Sequence, residues 1–104
     1  METVWRIKNM TRYQNTGLVE YVDFTFTSTL DGHTHEEFSS VRLSGNENSE
    51  GFIAYEDLTE EIALQWVMDV LGDVGITNLE NMNRGILNDM IDIAVNPKKG
   101  GLPW

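Results

Sequence analysis

The sequence predicts an α+β domain in which a three-stranded antiparallel β-meander is followed by two α-helices packed on one face of the sheet. The N-terminal half alternates apolar and polar residues with the period of two that is typical of half-buried strands. The dipeptide Asp31-Gly32 between two such runs is typical of a tight hairpin turn. In the C-terminal half, apolar residues instead recur at spacings of three and four, as they do in amphipathic helices.

Each predicted strand has its own pattern. The first is expected over residues 3–13, where apolar and basic side chains alternate. The second is expected over residues 18–30, with a valine and two phenylalanines on one face and mainly polar residues on the other. After the Asp31-Gly32 turn, the third should return antiparallel over about residues 33–44.

The first helix is expected to follow Asp57 or Thr59, either of which can cap its N-terminus, and to end at Gly72. The second helix should begin near Thr77, which has capping-box spacing to Glu80, and run to about residue 95, before the Asn-Pro pair. Its predicted buried stripe consists of Leu79, Met82, Ile86, Leu87, Met90, Ile93 and Ala94.

Residues 1–104 are expected to form a single domain, because a chain of 104 residues has room for one core only. Hydrophobic residues make up 40% of the chain, which suffices for such a core. The polar, glycine-bounded segment 45–51 is predicted to be a loop between the strands and the helices. Residues 96–104 are predicted to form an extended C-terminal tail.

The charge balance argues against nucleic-acid and membrane partners. Seven basic residues stand against seventeen acidic ones, for a net charge of −10, and no basic cluster offsets the repulsion from phosphates. No apolar run approaches the roughly 18 residues that a membrane span needs. The N-terminal residues lack the apolar core of a signal peptide, so a location in the cytoplasm is expected. The absence of cysteine excludes disulfides and thiolate ligands.

The segment DGHTHEEF, residues 31–38, contains the chain's only two histidines. On a strand, His33, His35 and Glu37 point the same way, so they could offer two imidazoles and a carboxylate to one metal ion. The alternative is a solvated hairpin tip with no ligand. A two-residue turn would place the three side chains on the phenylalanine face of the sheet, whereas a three-residue loop with a bulge would turn them outward.

Other arrangements that support catalysis are weak in this sequence. Ser39, Ser40 and Ser44 do not lie on a strand-to-helix elbow that would activate a nucleophile. The glycines do not form a phosphate-binding motif, and the paired glutamates fall on a solvated helix face. The sequence therefore predicts a non-enzymatic protein without a cofactor.

The C-terminal stretch NPKKGGLPW is unusual for a solvated tail, because it ends on the apolar residues Leu102, Pro103 and Trp104. These residues are predicted to form an interaction tail. The tail could fold back on its own domain or dock on a neighbouring subunit.

Three segments resemble short, functionally uncharacterised proteins of tailed bacteriophages, including marine and cyanobacterial ones. They are VWRIKNM near the N-terminus, YEDLTEEIALQWV at the first helix, and NP followed by LPW at the end. The resemblance implies a small accessory or virion-associated protein, located in the host cell or on the virion, with other phage proteins as further partners.

Self-association is expected independently of this resemblance. One layer of helices covers one face of a sheet and leaves a second face, predicted to bear Met10, Tyr13 and Tyr21, as well as two open edges. The leading hypothesis is therefore a self-associating structural or interaction protein. The alternative is a small metal- or ligand-binding domain that uses His33, His35 and Glu37.

Overall fold

The computed structural model describes residues 1–44 and 53–104, and the loop predicted over residues 45–51 lies outside the described residues. The strands form one antiparallel sheet in the order β1-β2-β3, which confirms the predicted meander. The protein is elongated, with extents of 68 × 28 × 22 Å. The elements are β1 (Glu2–Arg12), β2 (Val19–Leu30), β3 (His33–Arg42), a 3₁₀ turn (Tyr55–Asp57) and α1 (Glu60–Val95).

The β2–β3 hairpin is closed by the predicted two-residue turn. Asp31 and Gly32 both have positive φ, at 49° and 80°, as a type I′ turn requires. Leu30 therefore pairs with His33, and the register continues without interruption to the end of β3. The alternative of a three-residue loop is wrong.

The first strand contains a bulge that the alternating pattern did not reveal. Its pairing with β2 passes from Ile7 opposite Phe24 directly to Asn9 opposite Asp23, so Lys8 is an extra residue. Because a bulge reverses the parity of the following side chains, Met10 packs against the core. The prediction that Met10 lies on the uncovered face is therefore wrong.

The core lies between α1 and one face of the sheet. Val22, Phe24 and Phe26 on β2 are fully buried, as is Val67 on α1. The Trp5 ring stacks on Phe26 with 5.1 Å between ring centroids. Since burial of one large apolar side chain contributes about 1.5–3 kcal/mol, this cluster is the main attachment between helix and sheet.

The N-terminus of α1 is capped by Thr59, one of the two predicted caps. The backbone N–H of Ile62 donates to Thr59 Oγ1 over 3.3 Å, and Glu60 and Glu61 occupy the first turn. Carboxylates at this position interact favourably with the positive end of the helix dipole.

The prediction of two helices is wrong, because a single helical element extends from Glu60 to Val95. Gly72 does adopt a positive φ, with φ 65° and ψ 176°, but it produces a kink instead of a helix end. A glycine ends a helix only where the following residues leave the helical path, and here helical geometry resumes immediately. Thr77 therefore lies inside α1 and cannot act as an N-cap.

The buried side of α1 also differs from the predicted stripe. Leu87 is fully buried as predicted, but so is the unpredicted Asn83, and the predicted core residues Met82 and Ile93 are 44% and 52% exposed. The buried face after the kink is centred on Leu79, Asn83 and Leu87, which are four residues apart, and Met82 and Ile93 lie to its sides.

The last turns of α1 are largely exposed. After Leu87, six of the eight helical residues face water. The residues after the helix, 97–104, form no helix or strand, and Leu102 and Trp104 are 73% and 88% exposed. Within residues 1–44 and 53–104, no helix combines the length and apolarity that crossing a membrane requires.

The kink gives a direct test of the helix geometry. Replacement of Gly72 by Ala should lower the free energy of unfolding by about 1–3 kcal/mol, because its combination of φ and ψ is accessible almost only to glycine. Urea denaturation measures this change.

Gly85 provides the matched control. It lies in the same helix without a positive φ, and a Cβ there would meet nothing within 4 Å. Replacement of Gly85 by Ala should raise stability by about 0.5–1 kcal/mol, because alanine has the higher helix propensity. Equal effects of the two substitutions would contradict the strained conformation at Gly72.

Candidate functional site

His33, His35 and Glu37 lie on the face of β3 that α1 covers, as expected for the two-residue turn. His35 is opposite Ser28, and Glu37 is opposite Phe26. All three side chains are half-buried. The two histidines are therefore on the inner side of the sheet, at the end near the hairpin.

His35 and Glu37 form a close pair. His35 Nε2 and Glu37 Oε1 are 2.8 Å apart, and the two side chains are 26% and 35% exposed. Residues two apart on a strand share a face, so the strand itself places the imidazole beside the carboxylate. The pair can hold the imidazole in one orientation.

Metal binding by His33, His35 and Glu37 stays a prediction. No three His, Cys, Asp or Glu side chains in the described part of the chain are grouped so that they could hold a metal ion. Binding through His35 Nε2 would first require this nitrogen to leave Glu37 Oε1.

A buried polar chain crosses the sheet next to this pair. Asn83, on α1, donates through Nδ2 to the Phe26 carbonyl oxygen at 3.2 Å and to Ser28 Oγ at 2.9 Å. Ser28 Oγ in turn lies 2.8 Å from Thr3 Oγ1. Helix, central strand and edge strand are thereby joined by side-chain hydrogen bonds within an apolar layer.

Asn83 keeps one unused acceptor. Its Oδ1 is buried and has no hydrogen-bond partner among the described residues. The Phe26 carbonyl fixes the orientation of the amide, because a flipped amide would bring two oxygen atoms together. A buried acceptor without a donor costs about 1–3 kcal/mol, so a water molecule or a ligand N–H or O–H would be bound favourably here.

Sequence reasoning missed Asn83 and Ser28. A signal was present for Asn83, which lies four residues after Leu79 and four before Leu87 and so interrupts an apolar helical stripe. Ser28 has no comparable signal, because serine is common on strands that face water.

A second polar cluster lies at the opposite end of the sheet. Tyr13 Oη donates to Glu20 Oε2 at 2.9 Å, and an Arg42 Nη donates to the same oxygen at 3.2 Å. These side chains border an open cleft of about 390 Å³. The cleft is lined by Tyr13, Leu18, Val19, Glu20, Arg42, Leu43 and Ser44.

The carboxylate of Glu20 changes the acidity of its neighbour. It accepts the Tyr13 hydroxyl hydrogen bond and carries a negative charge, and both effects raise the pKa of Tyr13 above its ordinary value of 10.0. Arg42 opposes this shift of the pKa. Tyr13 is therefore held in its neutral, hydrogen-donating form.

Ser40 and the two histidines lie on different faces of the sheet. Ser40 Oγ donates to Asp23 Oδ1 at 2.7 Å on the face away from α1, whereas His35 lies under the helix. Because a serine nucleophile needs its histidine within hydrogen-bond reach, Ser40 and His35 do not form such a pair.

The Asn83 bonds can be tested by substitution. Asn83→Ala should lower the free energy of unfolding by about 2–3 kcal/mol, because Ser28 and the Phe26 carbonyl lose their donor in a buried place. The exposed Asn81, two residues earlier, is the matched control, and Asn81→Ala should change stability by less than about 0.5 kcal/mol. Indistinguishable denaturation curves for the two variants would contradict the buried chain.

The Tyr13 shift predicts a pH effect. Since its pKa is raised in the folded state, the stabilisation from the neutral hydroxyl is complete below pH 10 and is lost as the pH rises through the folded-state pKa. Tyrosinate absorbance should show one late-titrating tyrosine, which Tyr13→Phe removes and which Glu20→Gln returns towards its ordinary pKa. A Glu20→Gln titration identical to that of the unchanged protein would show that Glu20 is not the cause.

Comparison with known proteins identifies a family for the whole chain without assigning it an activity. No curated protein and no solved structure gives a significant match. A family model, however, matches residues 1–104 and therefore includes the Asn83 hydrogen bonds, the histidines and the tail. The protein belongs to the family described as "Domain of unknown function (DUF7936)".

Proposed function

We propose that this protein is a non-enzymatic accessory protein of the tailed-phage type, which acts by self-association and by contact with other proteins. The observation that carries the proposal is the single helical layer. α1 covers one face of the three-stranded sheet, and in the described residues the other face has no covering element. Small sheets of this kind gain stability when a second layer or subunit packs against them.

The uncovered face carries apolar side chains on all three strands. Val4 on β1, Tyr21 on β2 and Phe38 on β3 are 50%, 38% and 62% exposed. They stand among threonines and charged residues, so the surface is a mixture of apolar and polar groups, as in interfaces that form and dissociate. This composition supports reversible self-association.

The tail supports contacts with a different partner. Leu102 and Trp104 lie in the segment 97–104, which has no helix or strand and is exposed throughout. A free indole of this size is the kind of side chain that fills a pocket on a binding partner. A segment without helix or strand also suits peptide recognition in a groove. We assign the tail to binding of another phage protein.

The phage assignment rests on the resemblance of the three segments described above. It places the protein in the cytoplasm of the host cell or on the virion. The His33, His35 and Glu37 side chains have no catalytic role in this proposal, and the His35–Glu37 pair contributes to the structure of the hairpin.

Sedimentation velocity over micromolar to millimolar concentrations tests the self-association. The expected result is a weight-average mass that rises with concentration above that of one chain, because the sheet has an uncovered face and an open strand edge in the described residues. A monomer throughout this range would contradict the proposal.

A chain truncated after Asn96 separates the two kinds of contact. Because the removed side chains are exposed, the truncation should leave the melting temperature and the self-association unchanged. A lower melting temperature would show that the tail packs on its own subunit in solution. Loss of self-association would assign the subunit contact to the tail instead of the sheet.

A further inference from the structure

We infer that a second copy of this chain pairs with the outer edge of β3 in antiparallel orientation, with the two-fold axis at Phe38. The two sheets then form one continuous sheet, with both α1 helices on the same side. This inference rests on the proposed self-association and specifies the surface through which it occurs.

The two edges of the sheet differ in their protection. On β1, the carboxylate of Glu60 accepts the backbone N–H of Ile7 at 3.1 Å and lies 3.4 Å from Arg6 Nε. The bulge at Lys8 adds a local distortion and a lysine at the same place. Bulges, lysines and covering side chains all prevent the addition of another strand, so β1 is a blocked edge.

Among the described residues, the β3 edge has no bulge, no lysine and no covering side chain, and its charged residues Glu36, Glu37 and Arg42 are of both signs. Its register with β2 is regular over the whole strand, without a bulge. The two-residue turn makes Leu30 and His33 a hydrogen-bonded pair, and such pairs alternate along a hairpin. The backbone groups that point away from β2 consequently belong to Thr34, Glu36, Phe38 and Ser40.

These backbone groups are available for pairing. Among the described residues, no loop or capping backbone hydrogen bond ends on them. The four residues include neither proline nor lysine. An unpaired, regular strand edge of this kind can bind another strand through backbone hydrogen bonds. The added strand must have the same spacing of N–H donors and C=O acceptors.

Charge complementarity and the aromatic pair together select a second copy in one register. With the axis at Phe38, Glu36 lies opposite Ser40 of the second copy and diagonal to its Arg42, within reach of long side chains. An axis at Glu36 would instead place two glutamates opposite each other. An axis at Ser40 would move Glu36 away from Arg42 and lose the ion pair. An axis at Ser39 would place Glu36 directly opposite Arg42 of the second copy, but it would place Phe38 opposite Ser40 and leave no aromatic pair.

The side chains at the axis fit this arrangement. Phe38 is 62% exposed in the single chain, and the axis brings the two Phe38 rings side by side on the face away from α1. Aromatic pairs across neighbouring strands stabilise sheets. Arg42 is 67% exposed and uses one Nη for Glu20, so its remaining N–H groups can reach Glu36 of the second copy.

The test compares two lysine substitutions on the same face. Phe38→Lys should raise the dissociation constant of the dimer at least about tenfold, because it puts two positive charges at the axis and removes the aromatic pair. Val4→Lys is the matched control, since Val4 is similarly exposed on the same face but lies on the blocked β1 edge. It should change the dissociation constant by less than about twofold. Sedimentation equilibrium gives both values.

The outcomes separate the inference from the proposed function. A monomeric unchanged protein would overturn both. A dimer that neither lysine weakens would overturn the β3 pairing and leave self-association standing. Equal weakening by the two lysines would indicate contact between sheet faces and would also overturn the edge pairing.

Amide hydrogen exchange on the unchanged protein provides a measurement that does not depend on how the variants fold. The amides of Glu36, Phe38 and Ser40 should become protected as the concentration rises through the dissociation constant. The amide of Ile7, which already donates to Glu60, should show no such change. Unchanged exchange at the three β3 amides in a dimeric sample would contradict the inference.

Discussion

The two-residue turn at Asp31-Gly32 fixes the parity of the whole sheet. Because side chains alternate along a strand, a loop longer by one residue would reverse every position of β3. The observed turn brings His35 and Glu37 under the helix and leaves Phe38 on the uncovered face. It also decides which backbone groups of β3 point away from the sheet. Both polar and apolar features of the third strand therefore follow from two positive φ angles.

The helix adapts to the sheet through two residues that an idealised helix would not contain. Gly72 permits a kink, so the turns before and after it can both pack on the strands. Asn83 then places a hydrogen-bonding group over the carbonyl of Phe26. A polar residue in an apolar layer can fix one alignment of helix and sheet, because a displaced helix would leave its amide without partners.

Much of the fold could be read from the sequence, because it depends on local chemistry. The alternating strands, the hairpin turn and the Thr59 cap each reflect interactions between residues close in the chain. The bulge at Lys8 could not be read, since an extra residue in a strand depends on how β2 pairs with it. The kink at Gly72 could not be predicted either. A glycine with positive φ occurs both at helix ends and at kinks, and the packing of the following turns on the sheet decides between the two.

The candidate site was predictable only in part. The spacing of His35 and Glu37 sufficed to place them on one face, and the turn type then chose the face. The partner of Ser28 comes from a helix 55 residues away, so no local pattern in the strand identifies it. The sequence shows that Asn83 interrupts the apolar stripe of the helix. The hydrogen-bond partners of Asn83 are known only once the position of the sheet is known. Long-range contacts between elements, which spacing does not encode, account for these omissions.

The exposure of the last turns of α1 has a consequence for their dynamics. Beyond Leu87, which is fully buried, most helical residues face water and include the exposed Ile93 and Val95. Helical segments this short, without a packing partner, are close to balance between ordered and unfolded conformations in water. The distal turns should therefore fray and re-form while the rest of the domain stays folded. Any contact made by these turns would therefore be coupled to helix formation.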